Sequence, residues 1–302
     1  MKIHSKKYIM AAFILFLVLP VLFFAAGVQK KAAATGQDTV KSDENLVWDF
    51  HKFDGVMKES GRKVSMNAKD FEEIQKRKVK AMITISNYLN RQFGQVDPLV
   101  MAAFQEVPRE YFVYQYERQQ DMPNAVYERN PQPWLVGWGS PISDYLGQAY
   151  MTQILAPKKG EVALEIGTCS GYQASVLSRI VKEVYTIEIN KPLGEKVLNI
   201  FTPMGYTNVK ARVGDGFFGW PEVKDGFDLI IVTCAAQYVP PALLEQLKNG
   251  GRMIVPIGQP FKRGQYFYIY TKDSDGKIHT KKDIGCFFVP MRGKIFETPE
   301  QK

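Results

Sequence analysis

Cysteine and histidine are both scarce in this 302-residue chain, with three of each. Cys169, Cys234 and Cys286 are too few and too far apart for a disulfide framework, and no Cys-x-x-Cys pair offers a structural zinc site. His4, His51 and His279 have no recognisable partners in the sequence, so neither histidine-based catalysis nor a metal site is expected. Acids are missing from residues 1–34, which carry Lys2, Lys6, Lys7, Lys30 and Lys31. The net charge is +8; without that stretch, 34 basic residues face 31 acidic ones, an excess of only 3. The basic excess therefore belongs to the amino-terminal segment, and no nucleic-acid binding is expected. Low-complexity tracts and internal repeats are also lacking. A composition of 45% apolar, 23% charged and 13% aromatic residues excludes a disordered or collagenous chain. The length suits one large domain with an appendage, or two small domains.

Between Tyr8 and Val28 there is no charged residue. About 20 apolar residues cross a bilayer as a helix, and Pro20 would kink this one. Lysines before the run favour a cytoplasmic amino terminus and an exported body, whereas Lys30 and Lys31 weaken that bias. Residues 1–28 thus read as a membrane anchor or a signal peptide. A cleaved signal would end near Ala25-Ala26-Gly27 or Ala32-Ala33-Ala34. The run exceeds the roughly 7–15 residues of a signal-peptide core, which favours the anchor. A membrane-anchored or exported protein on the extracytoplasmic side is the expectation.

Residues 29–66 are polar and poorly periodic and read as a linker. Residues 67–150 form a helical lead-in and a loop. Helical spacing runs from Asn67 to Phe93, and a second helix starts with Asp97 as N-cap and Pro98 in the first turn, ending before Val107-Pro108. The stretch 121–141 holds Pro123, Pro131, Pro133 and Pro141 among aromatic rings and reads as a structured loop. Residues 151–302 alternate between strands and helices. Strands are expected at Val162–Ile166, Val184–Glu188, Val209–Val213, Asp228–Thr233 and Met253–Ile257. Helices are expected at Tyr172–Val181, Pro192–Pro203 and Pro240–Leu247, the last closed by Asn249-Gly250-Gly251. Tyr266–Thr271 and Lys277–Ile284 read as a hairpin across Asp275-Gly276. Such alternation predicts an α/β fold: a doubly wound, Rossmann-like sheet ending in an antiparallel hairpin.

The first strand leads into Gly167-Thr168-Cys169-Ser170-Gly171. Glycines there let the backbone approach a ligand at the carboxyl edge of the sheet. Their spacing is not that of the dinucleotide fingerprint, which disfavours a nicotinamide-dependent dehydrogenase. Glu188 ends the second strand, where a carboxylate can accept both hydroxyls of a ribose. Asp215, in Gly214-Asp215-Gly216, ends the third, beside the place of an adenine. A suitable group at three successive strand ends points to a nucleoside-containing ligand.

This constellation resembles the S-adenosylmethionine-dependent methyltransferases, and the rest of the chain is similar to the protein-L-isoaspartate (D-aspartate) O-methyltransferase family. The resemblance covers roughly residues 75–297. It is carried by VPREYFV from Val107 to Val113, GWGSPIS from Gly137 to Ser143 and LEIGTCSGYQ from Leu164 to Gln173. It continues through VGDG from Val213, GWP from Gly219 and FDLIIVTCAA from Phe227 to Ala236. PPALLEQLKNGGR from Pro240, VPIG from Val255 and FVP from Phe288 complete it. The resemblance implies S-adenosylmethionine as cofactor, held by Glu165, Gly167, Thr168, Cys169, Ser170, Gly171, Glu188, Asp215 and Gly216. It implies that Ser140, Pro141, Ile142 and Ser143 cup an isoaspartyl residue of a damaged protein, with Ser143 in the active-site position. It also implies that Thr233 to Ala236, including Ala235 and Ala236, and Val289-Pro290 line the peptide cleft. The partners implied are isoaspartyl peptides or proteins, with the membrane held through the amino-terminal segment; a monomer is expected. Three residues depart from the family pattern. Ser140 stands where the substrate loop has glutamine. Pro141 stands where the substrate loop has threonine, which removes a hydroxyl and an N–H. Cys169 stands where the nucleotide turn has glycine, at about 1 kcal/mol if the backbone there is left-handed. A methyltransferase with another carboxyl or hydroxyl substrate, and a non-catalytic binding module that keeps the fold, remain as alternatives.

Overall fold

The computed structural model describes residues 49–296 apart from 261 and 263. The apolar run at 8–28 lies outside the described residues. Among the described residues, no helix is long and apolar enough to cross a membrane.

The first described segment corrects the linker expectation. Residues Phe50–Glu59 form helix α1, capped by the Asp49 carboxylate on the Lys52 N–H at 2.8 Å. Its apolar residues are spaced so that Phe53, Val56 and Met57 fall on one buried face. The Phe53 ring lies 5.5 Å from Phe71 and 5.0 Å from Tyr111. The stretch that follows is held by Asp121, whose carboxylate accepts from the N–H groups of Ser65 and Met66 at 2.9 and 2.7 Å. The lead-in helices follow the sequence closely. Helix α2 (Ala68–Phe93) opens on a capping box between Asn67 and Asp70. Helix α3 (Pro98–Glu106) starts on Asp97, whose carboxylate accepts from the Leu99 N–H at 2.8 Å. The proline-bearing stretch is irregular, as expected, with two small antiparallel ladders around it. One pairs β1 (Tyr114–Gln115) with β2 (Gln120–Asp121); the other pairs β3 (Trp134–Gly137) with β4 (Ser140–Ile142). Helix α4 (Tyr145–Leu155) follows, capped by Asp144.

The main sheet has seven strands: β5 (Val162–Ile166), β6 (Glu183–Glu188), β7 (Val209–Val213), β8 (Phe227–Val232), β9 (Leu247–Ile257), β10 (Gln265–Lys272) and β11 (Ile278–Cys286). Their spatial order is β11-β10-β9-β8-β5-β6-β7, parallel from β9 to β7 and antiparallel through β10 and β11. This is the expected doubly wound, Rossmann-like sheet with its terminal hairpin. Helices α5 (Tyr172–Ser178), α6 (Lys191–Val197) and α7 (Pro241–Glu245) lie in its connections. Strands β5 and β8 are apolar because both faces of the sheet are covered; Leu164, Leu229, Ile230 and Ile231 are fully buried. One local expectation fails. Asn249-Gly250-Gly251 does not close a helix but lies inside β9, where the pairing with β8 skips from Leu247 to Arg252. Gly250 supplies the left-handed turn of that excursion at φ 79°, and the Asn249 amide ties it to the Ser274 carbonyl at 2.9 Å. Strand order reverses between β5 and β8, and the carboxyl ends at such a switch point are where an open α/β sheet binds ligands.

Candidate active site

Two adjoining cavities open at that switch point. The outer one is lined by Gly139, Ser140, Pro141, Glu188, Asn190 and Gly216, with Thr233, Cys234 and the stretch Val289–Arg292 closing it. The inner one is lined by Ile142, Ser143, Gln148, Glu165, Thr168, Ser170 and Gln173. Pro141, Gly167, Cys169 and Thr233 border both.

The turn between β5 and α5 forms the wall. Gly167 has φ 102°, and a Cβ there would run into the Thr233 hydroxyl. That hydroxyl reaches the Ile166 and Gly167 carbonyls at 3.0 and 2.8 Å, so the turn is locked to the end of β8. Cys169 also has positive φ, 50°, a conformation that costs a residue with a Cβ about 1 kcal/mol. The strain orients its N–H onto Glu188 Oε2 at 2.7 Å. Glu188 Oε1 accepts from the Asn190 N–H at 2.9 Å. One lone pair on each oxygen is thus engaged by the backbone and another remains for a ligand in the outer cavity. Burial pushes the Glu188 carboxyl above its ordinary range, against the pull of these N–H groups and of the Arg292 charge.

Glu165 sits at the inner cavity and is fully buried. The Thr186 hydroxyl donates to its Oε2, so the Thr168 hydroxyl, 2.6 Å from Thr186, must be the donor to Thr186. Oε1 has no partner. Burial raises this carboxyl to about 8, with the Glu188 charge adding and the Thr186 hydroxyl opposing. The Gln173 amide oxygen is likewise buried without a partner, while its nitrogen donates to Thr152 Oγ1 at 2.9 Å. Two orphaned polar atoms in one small cavity are the mark of a place kept for a polar ligand.

The loop carrying Ser140 to Ser143 is held from beneath by Arg109, which is completely buried. Its guanidinium donates to the Ser143 carbonyl at 2.7 Å and to Gln148 Oε1 at 2.6 Å, and stacks 4.9 Å over the Tyr172 ring. The fork spans the substrate loop, α4 and α5 in one contact. The Ser143 hydroxyl has no hydrogen-bond partner among the described residues and is half-buried. It also borders a groove with Tyr88, Tyr150 and Phe287.

Most expected site residues converge here, and four do not line the two cavities. Gly171 is instead the N-cap of α5 at φ 85°. Asp215 uses both carboxylate oxygens on backbone, accepting from Phe217 N–H at 2.9 Å and Lys294 N–H at 2.8 Å; its neighbour Gly216 reaches the cavity. Ala235 and Ala236 were expected in the cleft but are buried. Ala235 exchanges backbone bonds of 2.8 Å with Val289 and Met291, and Ala236 bonds to Pro256 and Gly258. They act as the seam that fastens the carboxyl-terminal segment to the sheet. Cys234 is a cavity wall whose thiol is driven up by burial, and Cys169 is driven up likewise, so neither is a thiolate. Among the described residues, no cluster of three or more metal-ligating side chains exists.

The family model for protein-L-isoaspartate(D-aspartate) O-methyltransferase matches residues 78–295. The chain belongs to this family. It is 42% identical over 248 residues to protein-L-isoaspartate O-methyltransferase 1 of Nitrosospira multiformis, covering 82% of this chain and 98% of that relative. It is 40% identical over 207 residues to the Petrotoga mobilis protein-L-isoaspartate O-methyltransferase, covering 68% and 93%. A solved protein-L-isoaspartate O-methyltransferase superposes with a TM-score of 0.62 at 27% identity, over 72% of this chain and 67% of that one. A Plasmodium falciparum beta-aspartate methyltransferase, solved with S-adenosyl-L-homocysteine, shares the fold at TM-score 0.56 and 22% identity, over 69% of this chain and 97% of that one.

Within the family framework, several residues at the site carry no signal readable from strand ends. Arg109 and Gln173 lie in motifs that mark the family, yet only the fold brings them under the loop and into the inner cavity. Asn190, Met291 and Arg292 lie just past the elements that were legible.

Proposed function

We propose that the protein transfers the methyl group of S-adenosylmethionine to the free carboxylate of L-isoaspartyl residues in damaged proteins. The observation that carries this reading is the pairing of two buried acids, Glu165 and Glu188, across one glycine turn, facing a loop with an unpartnered serine hydroxyl.

The residues present fit the cofactor. Glu188 has lone pairs left for two ribose hydroxyls, and the orphaned oxygens of Glu165 and Gln173 suit the donors of its amino-acid end. S-adenosylmethionine supplies a methyl group already activated on a sulfonium. The acceptor carboxylate is ionised at neutral pH, so no general base is called for. The two described histidines are not at the site. His279 pairs with Asp273 at 2.8 Å on the terminal hairpin, and His51 is exposed on α1. The work left to the chain is alignment and exclusion of water. Ser143 orients the carboxylate through its hydroxyl, Arg109 fixes Ser143 by its carbonyl, and Pro141, Gly167, Cys169 and Thr233 form the border at which the two cavities meet. In the methyl ester product the neighbouring backbone amide nitrogen attacks the ester carbonyl and expels methanol, closing a succinimide, and hydrolysis of that ring restores normal aspartate in part of the molecules.

The test is methyl transfer from labelled S-adenosylmethionine to paired peptides that differ only in isoaspartyl or aspartyl linkage. Selective, base-labile labelling of the isoaspartyl peptide is expected. Equal labelling of both peptides would move the substrate to another carboxyl class, and no labelling with cofactor bound would do the same.

The location rests on the sequence. The uncharged run from Tyr8 to Val28 with Lys2, Lys6 and Lys7 before it supports a tether that leaves the catalytic domain outside the cytoplasm. Protease accessibility of the domain in intact cells and in spheroplasts tests this. Protection in spheroplasts would reverse the orientation.

A further inference from the structure

The carboxyl-terminal segment returns across the carboxyl edge of the sheet and is fastened at three points. Ala235 N–H donates to the Val289 carbonyl, Met291 N–H to the Ala235 carbonyl and Lys294 N–H to Asp215, each at 2.8 Å. Met291 and Ile295 are each 3% exposed, so the backbone between them is held on both sides. Arg292 lies in that interval and lines the outer cavity. Its Nη2 is 3.3 Å from where a Cβ on Gly139 would stand, so the side chain reaches from this segment to the substrate loop. It is solvent-exposed and makes no hydrogen bond or ion pair with any described residue. Glu188 feels its charge, but the two form no ion pair or hydrogen bond. No other lysine, arginine or histidine among the described residues lines this cavity.

The loop opposite is poor in donors. Of the loop residues that line this cavity, Gly139, Ser140 and Pro141, the proline has no N–H to offer and only Ser140 carries a side-chain donor. An anionic carboxylate entering there would lose water and gain little in return.

We infer that Arg292 is a substrate-binding residue that receives the isoaspartyl carboxylate, supplying from the carboxyl-terminal segment the donors that the substrate loop lacks. This rests on the functional reading above. A guanidinium presents two parallel N–H groups that match the two oxygens of a carboxylate. That pairing stabilises the charged acceptor before reaction. The carboxylate charge is then lost as the ester forms, so the contact weakens along the reaction. Arg292 therefore acts on substrate affinity, and Ser143 on orientation. The ester product is neutral and cannot sustain the charged pairing, so the same residue favours acid over ester and helps the product leave.

The experiment compares wild-type protein with R292Q and R292K on an isoaspartyl peptide. R292Q is expected to raise KM about tenfold or more, with kcat and the S-adenosylmethionine Kd each changed less than about threefold. R292K, which keeps the charge but not the fork, falls between. Wild-type protein binds the isoaspartyl peptide more tightly than its methyl ester, and R292Q abolishes that preference. An unchanged KM in R292Q, with wild-type protein active, overturns the inference alone. So does a loss that falls on cofactor affinity, which would place Arg292 in service of Glu188. Wild-type protein that binds the cofactor yet labels no isoaspartyl peptide overturns the functional reading itself.

Discussion

At the residue scale the site keeps one acid in an unusual state. Burial holds the Glu165 carboxyl at about 8, against 4.5 for an ordinary glutamate, so at neutral pH most of it carries its proton. An unfolded chain has already released that proton. Between about pH 4.5 and 8 the folded state therefore binds more protons than the unfolded state, and stability falls as pH rises through this window. The slope from this group is at most about 1.4 kcal/mol per pH unit. Below pH 4.5 both states hold the proton and the term is constant. Glu165→Gln mimics the protonated form and should flatten the slope. The variant is expected to match wild type in denaturant midpoint at pH 5 and exceed it at pH 8. The same change should weaken S-adenosylmethionine binding at pH 8, where the ionised carboxylate is populated and its unpartnered Oε1 is an acceptor that the amide nitrogen of glutamine replaces with a donor. Gain of stability with loss of affinity is the signature of a group kept for binding. Cofactor affinity unchanged in the calorimeter would mean that the unpartnered oxygen serves no ligand. Composition could not have revealed this: the sequence shows a glutamate at the end of a strand, and only the sheet on both sides turns it into a buried acid.

At the element scale two connections set the geometry. Arg109 reaches the Ser143 carbonyl, Gln148 and the Tyr172 ring from a single buried position. Lysine offers a point charge on a flexible stem and cannot span these three. Arg109→Lys should lower kcat about tenfold while leaving the cofactor Kd within about twofold, and isotope-label turnover alongside calorimetry separates the two. A loss confined to cofactor affinity would show that the loop does not depend on the fork. The second connection is the carboxyl-terminal segment. Gly293 has φ 91°, and a Cβ there would strike the Asp215 carboxylate. Gly293→Ala should therefore break the Lys294–Asp215 bond, cost about 2 kcal/mol and weaken cofactor binding as Val289 to Arg292 lift from the cavity. Unfolding midpoints and calorimetry check both effects. The strands, the caps at Asn67 and Asp97 and the glycine turn were legible because each is a local pattern. The seam at Ala235 and Ala236 was not, since two small apolar residues after a strand read equally as cleft or as core. Asp215 shows the same limit: its carboxylate is committed to a segment 79 residues away.

At the scale of the whole molecule the catalytic sheet depends on residues that precede the family match. That match begins at residue 78, inside α2, yet the opening turns of α2 and all of α1 lie before it. Sequence patterning missed α1 because it is ten residues long, carries five polar or charged side chains and follows a polar stretch. An isolated helix of that length is marginal in water, so packing rather than propensity must form it. The packing is visible. Phe53 is fully buried among Phe50, Phe71 and Tyr111, and Tyr111 sits beside Arg109 in the short turn that supports the substrate loop. The link runs from α1 through Phe53 and Tyr111 to Arg109 and Ser143. Phe53→Ala opens a cavity at its head and should destabilise the fold by about 3–5 kcal/mol. Residual activity per folded molecule should also fall, because the turn bearing Arg109 loses its backing. Thermal unfolding, with turnover measured well below the midpoint, distinguishes these effects. A chain trimmed to residue 78 should do worse still, since it exposes Tyr111 and removes Phe71 and Ile74 together. If Phe53→Ala melts within a degree or two of wild type, α1 is an appendage resting on the domain and the boundary of the catalytic unit lies at α2.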